Sequence, residues 1–230
     1  VFTHLIQVRR RFVYLVTVLV LGLSAFGMVQ MKTTGNIVDD LPDNDRVKTD
    51  LAWIEDNFHG VMPFEMLIDS GEDGDALSLE NLKKIERMQN LLAEYPEFSR
   101  SMSAVDATKF AMQALNNGKR SGYRLPISSR EKMTLRSYTR RTETKAQGSE
   151  NASSVLRNFL DSSKTITRIS AQIADIGTLE MDALMDDLRP RIDSIFPKDK
   201  YDVTLTGTSI VLLEGTHYLV KNLAISISLA

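Results

Sequence analysis

An α+β fold is predicted from three features of the sequence. Two stretches of alternating apolar and polar residues, Met62 to Asp69 and Thr165 to Ile176, each precede a helical pattern and then a further short strand pattern. A basic, weakly periodic stretch separates these two units. An uncharged run from Phe12 to Met31 precedes them, and an apolar stretch from Leu219 to Ala230 follows. Strand, helix, strand, insertion, strand, helix, strand is the ferredoxin-like split βαβ order. A βαβ unit packs its helix on one face of its sheet. The expected molecule is a two-layer sandwich with a helical insertion, flanked by transmembrane helices.

The run Phe12 to Met31 has the roughly 20 residues that cross a bilayer as one helix. Arg9, Arg10 and Arg11 stand immediately before it, while Lys32 and then Asp39 and Asp40 follow it. Cytoplasmic flanks carry the excess of Lys and Arg, which predicts a cytoplasmic N-terminus and an extracytoplasmic main domain. A cleaved signal peptide is the alternative. The apolar core is longer than a signal peptide's, however, and no small-x-small cleavage site follows it. Only Tyr14 in the run is ionisable, which suits a structural span rather than a proton relay.

Lys32 to Pro42 reads as an extended connector. Asp43 or Asn44 can cap a helix to about Phe58, with Val47, Leu51, Ile54 and Phe58 on one face and Gly60 just past its end. The first strand follows, with Pro63 at its start or edge. The turn from Ser70 to Asp75 leads to Ser78, which can cap a helix to about Glu94 with Leu79, Leu82, Ile85 and Leu92 inward. Pro96 stops this helix, and a short strand is expected near Phe98 to Met102.

Ser103 to Asp106 has the form of a capping box, opening a helix to about Asn117 that Gly118 closes. From Lys119 to Lys145, nine basic residues face only Glu131 and Glu143, against a chain total of −2. That stretch is read as a solvated surface, with anionic lipid or a partner subunit as the sharper alternative. The second unit puts Ile169, Ala171 and Ile173 on one face of its strand. Thr178 can start a helix to about Phe196, with Leu184, Leu188, Ile192 and Ile195 inward and a kink at Pro190. Tyr201, Val203 and Leu205 alternate with polar residues in the last strand, and Gly207, Thr208 and Ser209 turn the chain into the final helix. That helix is expected to be a second span cut off at Ala230; a buried strand or helix is the alternative. The resulting divisions are residues 1–31, 32–208 with the insertion at about 105–154, and 209–230.

Catalytic and cofactor chemistry finds no constellation in the sequence. There is no Cys, so there is no disulfide framework and no thiolate chemistry. The loop from Asp69 places Gly74 and Glu80 as a calcium loop would, but Gly71 occupies the third position and a strand precedes the loop. A solvated turn is the better reading. His4, His59 and His217 lack metal-ligand spacing. Gly207-Thr208-Ser209 lacks the second Gly of a nucleophile elbow. No metal, cofactor or nucleic acid is expected, and no enzymatic activity.

Three segments carry a family resemblance. They are Thr34-Gly35-Asn36-Ile37-Val38-Asp39-Asp40-Leu41-Pro42, Asn57-Phe58-His59-Gly60-Val61-Met62-Pro63-Phe64-Glu65 and Leu205-Thr206-Gly207-Thr208-Ser209. Together they resemble the first half of an RND-superfamily transporter, in the exporter group related to the MMPL lipid transporters. The resemblance implies an extracytoplasmic porter domain between the first two spans of a multi-pass protein of the bacterial inner membrane. It implies proton-motive force as the energy source and hydrophobic or amphiphilic, lipid-like substrates. It places the proton-carrying acids on later spans, outside this sequence. The partners it implies are membrane lipid, an amphiphilic substrate, the remaining half of the same transporter chain and a homo-oligomeric copy. Gly207, Thr208 and Ser209 would couple domain to membrane. Met102, Met112, Met181 and Met185 are candidates for an apolar substrate surface, with ordinary core as the favoured alternative. A two-span sensor with an extracytoplasmic ligand-binding domain shares the same layout.

Overall fold

The computed structural model describes residues 10–30, 42, 45–71, 75–128, 130–135, 137 and 158–229. The chain divides into two units, Val1–Thr34 and Gly35–Ala230. The first contains helix α1, Arg10–Gln30. Phe12, Leu15, Leu19, Leu23 and Phe26 are exposed along it, and Arg10 and Arg11 lie in its first turn. Arg9 lies outside the described residues.

In the second unit, α2 (Arg46–Phe58) is capped by Asp45, whose carboxylate accepts from the Val47 amide at 2.8 Å. Asp43 and Asn44, the expected caps, lie outside the described residues. The helix ends at His59 in the left-handed conformation, φ 56°. Gly60 is needed for a different reason than a helix end. Its own φ is 148°, and a Cβ there would lie 2.8 Å from the Ile173 nitrogen. α2 buries none of its residues, and Val47, Trp53, Ile54 and Phe58 are exposed. Its apolar periodicity is therefore real but does not serve this unit's core.

Four strands follow: β1 (Met62–Asp69), β2 (Met102–Ser103), β3 (Ile166–Ile173) and β4 (Asp202–Thr206). They form one sheet in the order β2-β3-β1-β4, with every pairing antiparallel. Along β1 the alternation sends Met62, Phe64, Met66 and Ile68 inward, and β3 sends Thr167, Ile169, Ala171 and Ile173 inward. Pro63 sits where β1 is paired on the β3 side only, because the β1–β4 ladder begins at Glu65↔Thr206.

Helices α3 (Leu79–Leu92) and α5 (Gly177–Ile195) cover that apolar face. Ser78 caps α3, accepting from the Asn81 amide at 3.2 Å. Leu82, Ile85, Met88 and Leu92 of α3 and Met181, Leu184, Met185, Leu188 and Ile192 of α5 enter the core. α5 runs through Pro190 as a single helix. It opens at Gly177, with no side-chain cap from Ile176. The sheet's other face is more open: Glu65, Leu67 and Arg168 are half-buried, and Gln172 is exposed.

β2 is shorter than expected, and Phe98 contributes only a bridge to Ile173. The capping box is present: Asp106 accepts from the Ser103 amide at 3.0 Å, and Ser103 accepts from Val105 at 3.1 Å. The helix it opens, α4 (Ala104–Leu115), buries Ala104 and Val105 in the core. This helix, at the start of the insertion expected at about 105–154, packs its first residues into the core. Of the basic stretch, residues 130–135 are helical, and Arg124 pairs with Glu131 at 2.7 Å. Arg136, Arg140, Arg141 and Lys145 lie outside the described residues.

The turn into β3 is set by Asp161, which accepts from the Ile166 amide at 2.9 Å and the Ser163 amide at 3.0 Å. The Ser163 hydroxyl is the main cause, with these amides, that lowers the Asp161 carboxyl to about 2 against an opposing effect of burial. A depressed carboxyl stabilises the fold fully above the ordinary Asp range, about 4, and ceases to do so as pH falls through its folded value. Exchange of the Ile166 amide is therefore expected to accelerate between pH 4 and 2 beyond that of other β3 amides. In Asp161→Asn that acid step is expected to vanish.

Candidate functional site

The chain passes from β4 into the last helix, α6 (Thr208–Leu229), through a tightly constrained turn. Its first constraint is Gly207. With φ 106° it occupies backbone space that L side chains rarely adopt, and a Cβ there would lie 2.4 Å from the Pro63 carbonyl oxygen. Only a glycine lets the chain pass this close to β1. The Gly207 carbonyl then accepts from the Val211 amide at 3.0 Å, closing the first turn of α6.

Ser209, fully buried, donates its hydroxyl to the Pro63 carbonyl at 3.0 Å. One residue on, Ile210 enters the core, as does Leu213. α6 is thus held by side-chain packing from its first turn. A shallow depression lies between α5 and α6, lined by Met62, Asp175, Gly177, Thr178, Met181, Ser209, Leu212 and Leu213.

Two polar contacts extend the α5–α6 attachment. Arg189 of α5 meets Glu214 at 3.2 Å, and Asp182 of α5 meets the His217 Nε2 at 2.8 Å. Beyond His217 the helix has left the core: Tyr218, Leu219, Leu223, Ile225, Ile227 and Leu229 are all exposed. By length and composition α6 is apolar enough to cross a membrane.

The expected coupling residues Gly207, Thr208 and Ser209 therefore fall together at one strand-to-helix joint. The methionines do not assemble in the same way. Met112, Met181 and Met185 are buried, while Met102 is half exposed at 52% on the short strand β2. Met181 and Met185 belong to the main core, so core packing accounts for them. Met181 also borders the α5–α6 depression.

Sequence reasoning missed Pro63, Asp182, Arg189, Glu214 and His217 as parts of the joint. Each acts across the fold, and local spacing carries no signal for such pairs. Among the described residues, no group of acidic and His side chains is arranged to hold a metal ion. Among the described residues, no nucleophile is paired with a base at the joint, and Ser209 spends its hydroxyl on a backbone carbonyl. No protein-family model matches this chain, and no curated protein matches it in sequence.

Proposed function

We propose that this chain is part of a membrane exporter of the RND superfamily, with the sheet domain lying outside the cytoplasm and moving as one body with α6. The observation that carries this reading is the form of α6. It begins inside the domain, anchored by Ser209, Ile210 and Leu213, and leaves it with its apolar side chains exposed. Exposing such a surface to water is unfavourable by about 25 cal/mol per Å². A lipid environment removes that penalty.

Two further features support the reading. Read from the other edge, the strand order is β4-β1-β3-β2, with α3 and α5 covering one face. That is the arrangement expected of a split βαβ sandwich, the fold implied for a porter domain. α1, at 21 residues, is about 32 Å long at 1.5 Å per residue, close to a bilayer's apolar thickness. With Arg10 and Arg11 in its first turn, it suits a first span whose start is cytoplasmic.

In this reading the domain forms part of the path of amphiphilic substrates, and proton-driven rearrangement elsewhere in the transporter reaches it through α6. The direct test of placement is a reporter fused at Ser149, within the basic insertion. Activity of an extracytoplasmic reporter, and silence of a cytoplasmic one, is the expected result. The reverse pattern would put the domain inside the cell and remove the exporter assignment with it.

A further inference from the structure

We propose that the exposed apolar stripe of α2 docks on the basic surface around Ile127 and Met133 of a second copy of this chain. Ile127 and Met133 are 75% and 73% exposed, more than any other large apolar side chain described outside α6. The loop that carries them is nonetheless held firmly. Leu125 belongs to the core and Pro126 is buried. The Arg124 guanidinium donates to both Glu131 oxygens, at 3.0 and 2.7 Å, and the Ile127 amide donates to the same carboxylate at 2.8 Å. A surface fixed in advance loses little conformational freedom when it binds. Arg130 and Lys132 flank it, both exposed and neither in an ion pair among the described residues.

α2 supplies the matching surface. It buries none of its residues. Val47, Ile54 and Phe58 recur at i, i+7 and i+11, spacing by which one helix face enters an apolar groove. Trp53 lies edge-on to Phe58 at 6.2 Å. Aromatic residues and Met are the side chains enriched at protein interfaces. Asp50 and Asp56 are exposed on the same helix, opposite in sign to Arg130 and Lys132.

Three observations favour a second copy as the occupant. The stripe and the loop surface both stay exposed within one copy. The insertion rejoins the sheet at the Leu160↔Thr167 bridge, beside Ile68, whereas α6 starts at the Pro63 end of β1. That placement favours protein over the lipid that α6 would enter. Finally, residues 119–145 hold nine basic side chains against two acidic ones in a chain of net charge −2, so the rest of a second copy is net acidic. Two different surfaces on one chain form a heterologous contact, which repeats and closes into a ring where the rotation allows.

The contact can be read independently of export. The sequence has no Cys, so Asn57→Cys on α2 and Thr134→Cys beside Met133 can be placed on separately tagged full-length copies produced in one cell. A short, permeant bismaleimide is expected to join the two tags, while either variant produced alone gives no dimer. Arg130→Glu with Lys132→Glu on the Thr134→Cys copy is expected to reduce the product to the level of those controls. Asp50→Lys with Asp56→Lys on the Asn57→Cys copy is then expected to restore it. Absence of the mixed product, although both Cys react fully with a monomaleimide dye, would overturn the proposal, as it would if lipid or another protein covered α2. So would a product that the Asn57→Cys copy forms alone, or one that charge reversal leaves unchanged. Unaltered hydrogen exchange of the β1 amides in the charge-reversed copies would show that the loss reports the contact and not the fold.

Discussion

Phe64→Ala is expected to cost about 3–5 kcal/mol of folding stability, as full truncation of a buried Phe does. Phe64 has no exposed surface, lies on the strand paired on both sides, and packs its ring edge-on to Phe98 at 4.8 Å. The loss combines apolar transfer with a cavity that neighbours on α3 and α5 cannot close without leaving their own contacts. Domains of this kind hold only about 5–15 kcal/mol in total, so the variant is expected to be largely unfolded near physiological temperature. Denaturant unfolding in detergent, read by far-UV circular dichroism, measures it. Leu67→Ala, on the half-buried opposite face of the same strand, is the comparison, and its cost is expected to be at most about 1–2 kcal/mol. Equal costs at the two positions would place the core on the wrong side of the sheet.

The second large effect is expected at Gly207. Gly207→Val adds a β-branched side chain at φ 106°, with its Cβ driven to 2.4 Å from the Pro63 oxygen. Strained backbone of this kind costs on the order of 1–3 kcal/mol, and displacing β1 or α6 to relieve the contact adds to that. A loss of about 3 kcal/mol is the expected result, together with faster exchange of the Val211 amide. Gly215, inside α6, meets nothing within 4 Å of an added Cβ. Gly215→Ala is therefore expected to stabilise by about 0.5–1 kcal/mol through the ordinary helix preference for Ala. Opposite signs at two glycines eight residues apart would separate the joint from the helix it feeds.

Much of the fold could be read in the sequence because its signals are local. The period-two pattern of Met62, Phe64, Met66 and Ile68 reports a strand with one buried face, and the observed burial follows it residue by residue. Ser103 and Asp106 announce a helix start through chemistry that spans only three residues. The misplaced features depend on partners far along the chain. Gly60 does follow the cap of α2 at His59, and the close approach of Ile173 that also requires a glycine there has no local signal. The face of α2 has the period of a packed helix, and periodicity does not say which surface packs on it. α4 lies between β2 and β3, where an insertion is expected, and its packing depends on a sheet edge that is assembled only when β3 returns.

The joint shows the same division. Gly207, Thr208 and Ser209 were identifiable because a glycine there separates an alternating strand from an apolar helical run. What fixes their position is Pro63, 146 residues before Ser209 in the sequence. The pairs from α5 to Glu214 and His217 are likewise products of tertiary packing. Of the methionines, composition could not separate buried Met112, Met181 and Met185 from exposed Met102, since Met suits both settings.

If the domain and α6 move as one body, as proposed, they do so through a joint that is short and buried. Insertion of three Gly residues after Thr208 tests this most directly, with export of a lipid-like probe by the proposed transporter as the readout. The insertion separates the β4–β1 ladder from the Ser209 and Leu213 anchors without removing either. The account predicts a protein that still inserts and keeps the domain's protease resistance but has lost export. Export at the native rate, with the insertion confirmed and the domain folded, would contradict rigid coupling through this joint.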